Sequence, residues 1–295
     1  MTDTTLISVP NVSEGEDAAT LAAVGDAFAS AGAARLLAAP HSDPDHGRAV
    51  FTLAAPPGAL APALLAGARE AVERIDLDSH QGAHPHVGAI DVVPVVFLDD
   101  ARRGAAFVEA LVVADMLGAE LDLPVFLYGE LGGGRTRAEL RRGGLTTLAT
   151  RIASGELTPD FGPRRTHPTA GAVLVAARPP LVAFNVELAP PATLDDALRI
   201  AALIREGGEE GLPGLRAIGL ELPHRAGIAQ VSMNVEDHRR TLLVDVVTGI
   251  ARHARIGEAE LVGLAPRAAF DGFPDDIPCR NRATLEDALA ASPPA

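Results

Sequence analysis

The chain has 295 residues, 47% of them apolar, and a formal charge of −14. This length is sufficient for two domains with hydrophobic cores, and the apolar content excludes a disordered chain. The acidic charge argues against nucleic acid as a partner, because a protein that binds it needs a basic surface. All 25 basic residues are arginines, so a side-chain cation that binds an anion here is a guanidinium group.

The first half of the chain predicts strands and helices in the order βαββαβ. A strand in "TLISVP" precedes a helix in "AATLAAVGDAFASAG", for which Ser13 and Glu16 have the spacing of a capping box. "RLLAAP" and "AVFTLAAP" predict strands on either side of the polar loop "HSDPDHGR". "GALAPALLAGAREAVERI" predicts a second helix, and "VGAIDVVPVVFL" a fourth strand that is interrupted at Pro94. A helix at 101–120 and a strand in "LPVFLYGE" extend this half.

The second half predicts the same order. "GAVLVAARPPLVAFNVEL" indicates two strands around a Pro-Pro turn. A helix, two more strands, a helix at 236–255 and the segment "AELVGLAP", read as the last strand, follow. This order is typical of ferredoxin-like sandwiches, whose helices cover one face of a sheet. We therefore expect an α+β protein with two βαββαβ sandwich subdomains, residues 1–168 and 169–295, and a ligand-binding cleft between them.

Two polar segments fall between the predicted elements, and two arginine pairs fall on predicted helices. "GELGGG" lacks the Lys-Ser/Thr that follows the glycines of a phosphate-binding loop, and predicts a flexible turn. "SGELTPDFGPRRTHPTAG" predicts a linker between the halves, with Arg164 and Arg165 as candidates for anion binding. The arginine pairs at 141–142 and 239–240 predict solvent-exposed helix faces.

The segment "HQGAHPH" concentrates histidines ahead of the fourth strand. His80, His84 and His86 are three of the nine histidines of the chain. If the strands pair as their order predicts, this segment approaches the loop "HSDPDHGR". The residue types leave three interpretations open: acid–base catalysis near neutral pH, a divalent-metal site, or hydrogen bonding within the loops. No HExxH or CxxC spacing supports the metal site.

The expected compartment is the cytoplasm. The N-terminal residues lack the basic and apolar segments of a signal peptide. The sequence contains no run of about 20 apolar residues, so we expect no membrane partner. Cys279 has no partner for an internal disulfide, which fits a reducing environment.

Several blocks of the sequence resemble the glutamate formiminotransferases, the transferase half of formiminotransferase-cyclodeaminase. They cover nearly the whole chain and occur in the order that the family has. The blocks are "VPNVSEG" (9–15), "HQGAHPHVGAIDVVP" (80–94), "LPVFLYGE" (123–130), "PDFGP" (159–163), "LVAFNVEL" (181–188), "AQVSMNV" (229–235) and "LVGLAP" (261–266).

The resemblance implies a fold of two α/β subdomains, a homodimer, metal-free chemistry and a set of site residues. The catalytic residue is the histidine of the "HP" dipeptide, His84. The implied folate-binding residues are Gly162, Pro163, Arg164, Arg165, Thr166, His167, Pro168, Thr169, Ala170, Gly171, Gly214, Leu215 and Arg216. Further candidates for the substrate pocket are Asp43, Asp45, His46, Arg48, His80 and His86.

The implied reaction transfers a formimino group from N-formiminoglutamate to N5 of tetrahydrofolate, the co-substrate, within histidine degradation and one-carbon metabolism. Two other functions compete: a non-catalytic folate-binding protein, and a metal-dependent amidohydrolase acting on formyl- or formiminoglutamate. The sequence departs from the family at two positions near the catalytic one. His86 stands where arginine is common, and Gly47 where asparagine is common.

Overall fold

The computed structural model describes residues 5–80 and 82–291. These residues form two compact units, which divide between Pro179 and Pro180. Each unit has its own β-sheet and helices, so the fold is α+β as predicted. No helix in the described ranges is long and apolar enough to cross a membrane.

The first unit builds one sheet and the helices that cover it. In chain order its elements are β1 (Leu6–Ser8), β2 (Asn11–Val12), α1 (Ala18–Ser30), β3 (Ala34–Arg35), β4 (His41–Asp43), β5 (Arg48–Val50), β6 (Leu53–Ala55), α2 (Leu60–Arg74), β7 (Ile90–Val96), α3 (Arg103–Leu121), β8 (Val125–Leu127), α4 (Arg137–Arg141), α5 (Gly144–Ala153) and β9 (Val173–Arg178).

The strand β7 lies inside this sheet. Antiparallel β1 and β2 pair with one of its edges, with Ile7 opposite Val96 and Asn11 opposite Val92. Beyond them lie β6 and β5, and then β3 and β4. The other edge of β7 pairs with β9, which is parallel to both β7 and β8. The histidine segment therefore leads directly into an interior strand.

Both faces of β7 and β9 are covered. Val173 and Val175 of β9 belong to the core that includes residues of α1, α2 and α3. Leu174, between them, packs in a second cluster with Leu140 of α4 and Leu148 of α5. Helices on both faces explain why these strands are apolar without alternation, as is usual for parallel pairing.

The start of α1 differs from the sequence prediction. Asp17, not Ser13, caps the helix, and its carboxylate accepts a hydrogen bond from Ala19 N at 2.9 Å. Ser13 is still in extended chain, since its N donates to Ala89 O at 2.9 Å. Its hydroxyl donates to Gly88 O at 2.8 Å. The predicted capping box is therefore wrong, and Ser13 instead forms hydrogen bonds with the residues just before β7.

Two predicted strand boundaries also change. Of "RLLAAP" only Arg35 belongs to a strand, together with the preceding Ala34, while the predicted loop "HSDPDHGR" begins with β4. Strand β7 continues through Pro94 without interruption. The carbonyl of Pro94 accepts a hydrogen bond from the Ser8 hydroxyl at 2.7 Å, so this residue still contributes to the pairing of β1 with β7.

The second unit has the predicted βαββαβ order. Its elements are β10 (Val182–Leu188), α6 (Leu194–Ile204), β11 (Leu215–Leu222), β12 (Ile228–Val235), α7 (Leu243–Ala251), β13 (Ile256–Val262), β14 (Cys279–Arg280) and α8 (Leu285–Ala291). The sheet order is β11-β12-β10-β13-β14, antiparallel except for the last pair.

The division between the units lies after β9, whereas the sequence placed it at 168/169. Residues 173–178 are an apolar strand before the Pro-Pro turn, as expected, but they pair with β7 and β8 of the first unit. Periodicity identifies such a strand without indicating its partner, because pairing joins residues far apart in the chain. "SGELTPDFGPRRTHPTAG" consequently lies within the first unit and does not link the two.

A buried carboxylate of α3 closes the N-terminus of α2. Glu109 is 4% exposed, and its two oxygens accept hydrogen bonds from Gly58 N and Ala61 N, each at 2.7 Å. The N-cap residue itself, Ala59, makes no side-chain hydrogen bond to these backbone donors. A negative charge at this position satisfies backbone donors that the helix cannot satisfy and also interacts favourably with the helix dipole.

We expect Glu109→Ala to lower the free energy of unfolding by about 2–3 kcal/mol, because two backbone donors lose their acceptor. Urea denaturation of wild type and variant measures the difference. The matched control is Glu120→Ala on the same helix, where the glutamate is 47% exposed and pairs with Arg69. That change should cost less than about 1 kcal/mol. Equal losses in the two variants would contradict the capping role of Glu109.

Candidate active site

Three loops of the first unit meet in front of β7. Ala83 N donates a hydrogen bond to Asp45 O at 3.0 Å. Gly82 packs so closely on the other loop that a Cβ there would lie 2.6 Å from His46 O. Gly15 packs in the same way against the backbone of Asp43. The predicted approach of "HSDPDHGR" to "HQGAHPH" is therefore present, and the chain after Ser13 joins them.

The polar residues of the 41–48 loop have different surroundings. The Asp43 carboxylate accepts a hydrogen bond from His46 N at 3.0 Å and so shapes its own loop. Asp45 and His46 are buried, at 6% and 7% exposure. The His46 ring stacks near that of His84, with 6.0 Å between centroids. His46 and Arg48, but not the Asp43 carboxylate, thus have side-chain contacts with His84.

The His84 ring lies against the guanidinium group of Arg48. Arg48 Nη1 is 2.9 Å from His84 Nδ1 and also contacts Nε2. Burial lowers the pKa of His84 well below its usual value, and the charges of Arg48 and Arg141 lower it further. The imidazole is therefore neutral at neutral pH, with a ring nitrogen that accepts a hydrogen bond from the arginine.

The other two histidines of the segment form a pair beside this one. The rings of His80 and His86 are 4.1 Å apart and nearly perpendicular. His86 Nδ1 is 3.3 Å from the carbonyl oxygen of His84, to which it can donate a hydrogen bond. Burial, followed by the charge of His86, lowers the pKa of His80. These two side chains support the backbone that carries His84.

A buried ion pair that the sequence prediction missed lies beneath the loop. Asp91 of β7 accepts a hydrogen bond from Val87 N at 2.8 Å and pairs with Arg141 of α4. The side chains of Asp91 and Arg141 are only 3% and 10% exposed. The prediction that Arg141 lies on a solvated helix face is therefore wrong. The available signal was Asp91 itself, a carboxylate within an apolar run, since a buried charge needs a partner.

The guanidinium groups around His84 form a positive cluster. Burial lowers the pKa of Arg48 to about 9, with the charges of Arg141 and Arg137 acting in the same direction and Asp91 opposing them. Arg137 lies over the ring of Tyr128, with its Cζ 5.7 Å from the centroid. Such a cluster in an acidic protein favours an anionic ligand.

The segment predicted to bind folate ends beside the same loop. Ala89 N donates to Ala170 O at 2.9 Å, and Ala172 N donates to Val87 O at 2.8 Å. Gly171 approaches so closely that a Cβ would collide with Val87 O, and its φ of +70° suits glycine. His167 and Gly171 close a tight loop through mutual backbone hydrogen bonds of 2.8 and 3.1 Å. Residues 167–172 thus run along the backbone that follows His84.

The arginines of that segment are on the surface. Arg164 is exposed. Arg165 forms an ion pair with Asp122, in which both side chains are more than half exposed. Gly162, with a φ of +76°, packs against Leu123 O and turns the chain at the start of the segment. The two cations are accessible to a ligand in solvent.

The remaining predicted folate contact, 214–216, belongs to the second unit. Leu215 is fully buried in the core of that unit, so its side chain is not available to a ligand. Arg216 is 47% exposed and pairs with Glu206 and Glu236 at 3.2 and 3.3 Å. Gly214 N donates to the Glu206 carboxylate at 2.8 Å.

No group of three or more His, Cys, Asp or Glu side chains within 5–80 and 82–291 is arranged to hold a metal ion. The side chains around His84 are mainly cationic or neutral, which suits an anion. A neutral imidazole among buried arginines is typical of an enzyme that moves protons on an anionic substrate.

Comparison with known proteins gives the family. Residues 5–178 match the model of the formiminotransferase domain, N-terminal subdomain, and residues 183–271 match that of the formiminotransferase domain. Glutamate formimidoyltransferase of Streptococcus pyogenes serotype M1 is 36% identical over 89% of each chain. Its counterpart in Thermoplasma acidophilum is 33% identical over 89% of this chain and 88% of its own. Formimidoyltransferase-cyclodeaminase of Rattus norvegicus is 34% identical, and this chain covers 50% of it. The chain belongs to the formiminotransferase family.

The low pKa of His84 has a consequence for stability. Below about pH 6.5 an unfolded histidine binds a proton that folded His84 does not, so stability is lost as the pH falls through that value. Between pH 7.5 and 5.5 we expect His84→Gln to lose less stability than wild type, by at most about 1.4 kcal/mol per pH unit. Urea denaturation at several pH values measures this. The lowered pKa values of His80 and His238 contribute equally to the pH dependence of stability in wild type and variant. Parallel pH dependences would show that His84 titrates normally.

Proposed function

We propose that this transferase moves a formimino group from N-formiminoglutamate to N5 of tetrahydrofolate, giving glutamate and 5-formiminotetrahydrofolate. The family and the names of the bacterial and archaeal relatives support the proposal. The structural observation that supports it most is the neutral His84 among buried arginines, beside the segment that the family resemblance assigns to folate.

His84 is the proton carrier in this proposal. N5 of the folate attacks the formimino carbon, so an N5–C bond forms and N5 loses a proton. The bond from that carbon to the glutamate nitrogen then breaks, and this nitrogen gains a proton. One neutral imidazole between the two nitrogens accepts the first proton and donates the second. The low pKa of His84 keeps its ring ready to accept the proton at neutral pH.

The loop geometry supports this role by limiting the movement of His84. Pro85 follows the histidine directly and restricts the backbone. Asp91 holds Val87 N, and the His86 ring lies against the carbonyl of His84. A group that must reach two nitrogens in turn benefits from such a rigid support, because orientation contributes to the rate.

The folate is proposed to lie along residues 162–171, with a further contact at 214–216. The support is the family resemblance together with the hydrogen bonds that join residues 167–172 to the loop of His84. Arg164, Arg165 and Arg216 are the cations proposed to meet its carboxylates. The resemblance is also the support for a homodimer, which we include in the proposal together with a cytoplasmic location.

If His84 transfers the protons, His84→Ala lowers kcat by roughly 10²–10⁴-fold, the usual contribution of a general acid–base group. Formation of 5-formiminotetrahydrofolate is followed spectrophotometrically, and tetrahydrofolate binding is measured by calorimetry. Folate affinity should stay close to that of wild type. The matched control is His224→Ala, which changes an exposed histidine of the second unit. A His84→Ala enzyme with near-wild-type kcat would contradict the proposal.

If Arg164 and Arg165 hold folate, Arg164→Ala/Arg165→Ala weakens tetrahydrofolate binding by about tenfold or more, as expected for lost charge-assisted hydrogen bonds. The loss should be larger for a polyglutamylated folate, whose tail adds negative charge, and smaller at high salt. The control is Arg69→Ala/Arg199→Ala, which removes two arginines with 46% and 50% exposure and existing acidic partners. If the test variant binds monoglutamylated folate and polyglutamylated folate each as tightly as wild type does, the proposed role of the two arginines is contradicted.

A further inference from the structure

Buried hydrogen-bond donors on Arg48, and on two residues that interact with it electrostatically, have no acceptor among the described residues. They are Nε of Arg48, Nε of Arg141 and the hydroxyl of Tyr128. Tyr128 is 6% exposed, and the side chain of Arg141 is 10% exposed. Buried donors are nearly always paired in native proteins, so a cluster of unpaired ones marks a place where an acceptor binds.

The charge of the cluster identifies the acceptor as an anion. Arg141 gives one nitrogen to Asp91, and Asp91 also accepts from Val87 N, so this carboxylate is already engaged on both oxygens. Arg48 forms no ion pair with a carboxylate among residues 5–80 and 82–291, and instead lies against the neutral ring of His84. Two planar guanidinium groups with free N–H groups match the geometry of a carboxylate.

We propose that Arg48, Arg141 and Tyr128 bind the α-carboxylate of the amino-acid donor. This assignment rests on the proposed function. It follows from the covalent structure of an N-substituted glutamate, whose reacting nitrogen is separated from the α-carboxylate by a single carbon. If His84 contacts that nitrogen, the α-carboxylate lies at the group nearest to His84, which is Arg48. The side-chain carboxylate of the donor is three carbons away and requires a more distant cation.

The carboxylates of folate fit this position less well. They lie beyond the aminobenzoyl ring and are therefore far from N5, whereas Arg48 is in contact with the proposed proton carrier. A bound α-carboxylate also gives Arg48 an acceptor other than His84. The ring nitrogen that Arg48 contacts then becomes free to take the proton from N5. A donor without this carboxylate should consequently lose rate as well as affinity.

Two variants and one control test the assignment. Tyr128→Phe removes a single hydroxyl and keeps the ring that packs against Arg137. Arg141→Met removes the buried cation. Arg142→Met changes the neighbouring arginine, which is 72% exposed and 3.8 Å from Glu156. For Tyr128→Phe we expect KM for N-formiminoglutamate to rise about tenfold or more, the effect of a lost hydrogen bond to a charged group. The KM of Tyr128→Phe for tetrahydrofolate should match that of wild type. Arg142→Met should have the wild-type KM for both N-formiminoglutamate and tetrahydrofolate.

A binding measurement separates the pocket from the proposed reaction. L-glutamate and 4-aminobutanoate, which lacks the α-carboxylate, are titrated calorimetrically into wild type and Tyr128→Phe. We expect wild type to prefer glutamate by at least about tenfold and the variant to lose most of this preference. If the protein shows this behaviour but forms no 5-formiminotetrahydrofolate, the carboxylate pocket stands and the proposed reaction fails.

Three results would overturn the assignment. In the first, Tyr128→Phe keeps the wild-type KM for the donor and the wild-type preference for glutamate. In the second, the variant raises KM for tetrahydrofolate alone, which makes the occupant a folate carboxylate. In the third, Arg142→Met has the same effect as Tyr128→Phe, which makes the effect one of general charge or stability. Arg141→Met leaves Asp91 without its ion pair, so its kinetics count only if its circular dichroism and thermal unfolding match wild type.

Discussion

The interaction on which the candidate site depends is the buried pairing of Asp91 with Arg141. A carboxylate inside an apolar strand is costly unless its oxygens are paired. Here one oxygen accepts from Val87 N and the other pairs with Arg141. Asp91 thus holds the backbone that follows His84 and also positions the cation of Arg141 near that histidine. Because Arg141 stays near His84, it also lowers the pKa of that histidine.

The parallel pairing of β9 with β7 explains how residues 167–172 come to lie beside the loop of His84. Pairing of β9 with β7 runs through Val92 opposite Leu174, and the backbone of 170–172 continues it to Val87 and Ala89. The segment before β9 is therefore aligned with the segment before β7. Both enter the sheet from the same end, as parallel neighbours must. Ordinary sheet pairing thus brings the segment that we propose to bind folate next to the proposed proton carrier.

Burying arginines beside one another carries an electrostatic cost. Burial and the charge of Arg141 lower the pKa of Arg48 to about 9. Strongly shifted groups of this kind concentrate at functional sites. Surface ion pairs such as Arg165 with Asp122 contribute little by comparison, since solvent screens them. The buried cluster therefore makes the surroundings of His84 cationic, although the protein as a whole is acidic.

The sequence alone determined the α+β class and the order of most strands and helices, and it identified His84 as the candidate catalytic residue. Apolar runs and helical spacing report the local surroundings of a segment, and the "HP" block is local as well. Only the tertiary structure decided the sheet to which β9 belongs and the burial of Arg141. It also decided that Ser13 bonds to Gly88 and does not cap a helix. Each of these depends on groups far apart in the chain, such as Asp91 and Arg141, which are 50 residues apart. Local patterns carry no record of such pairings, because the partners meet only when the sheet and its covering helices are assembled.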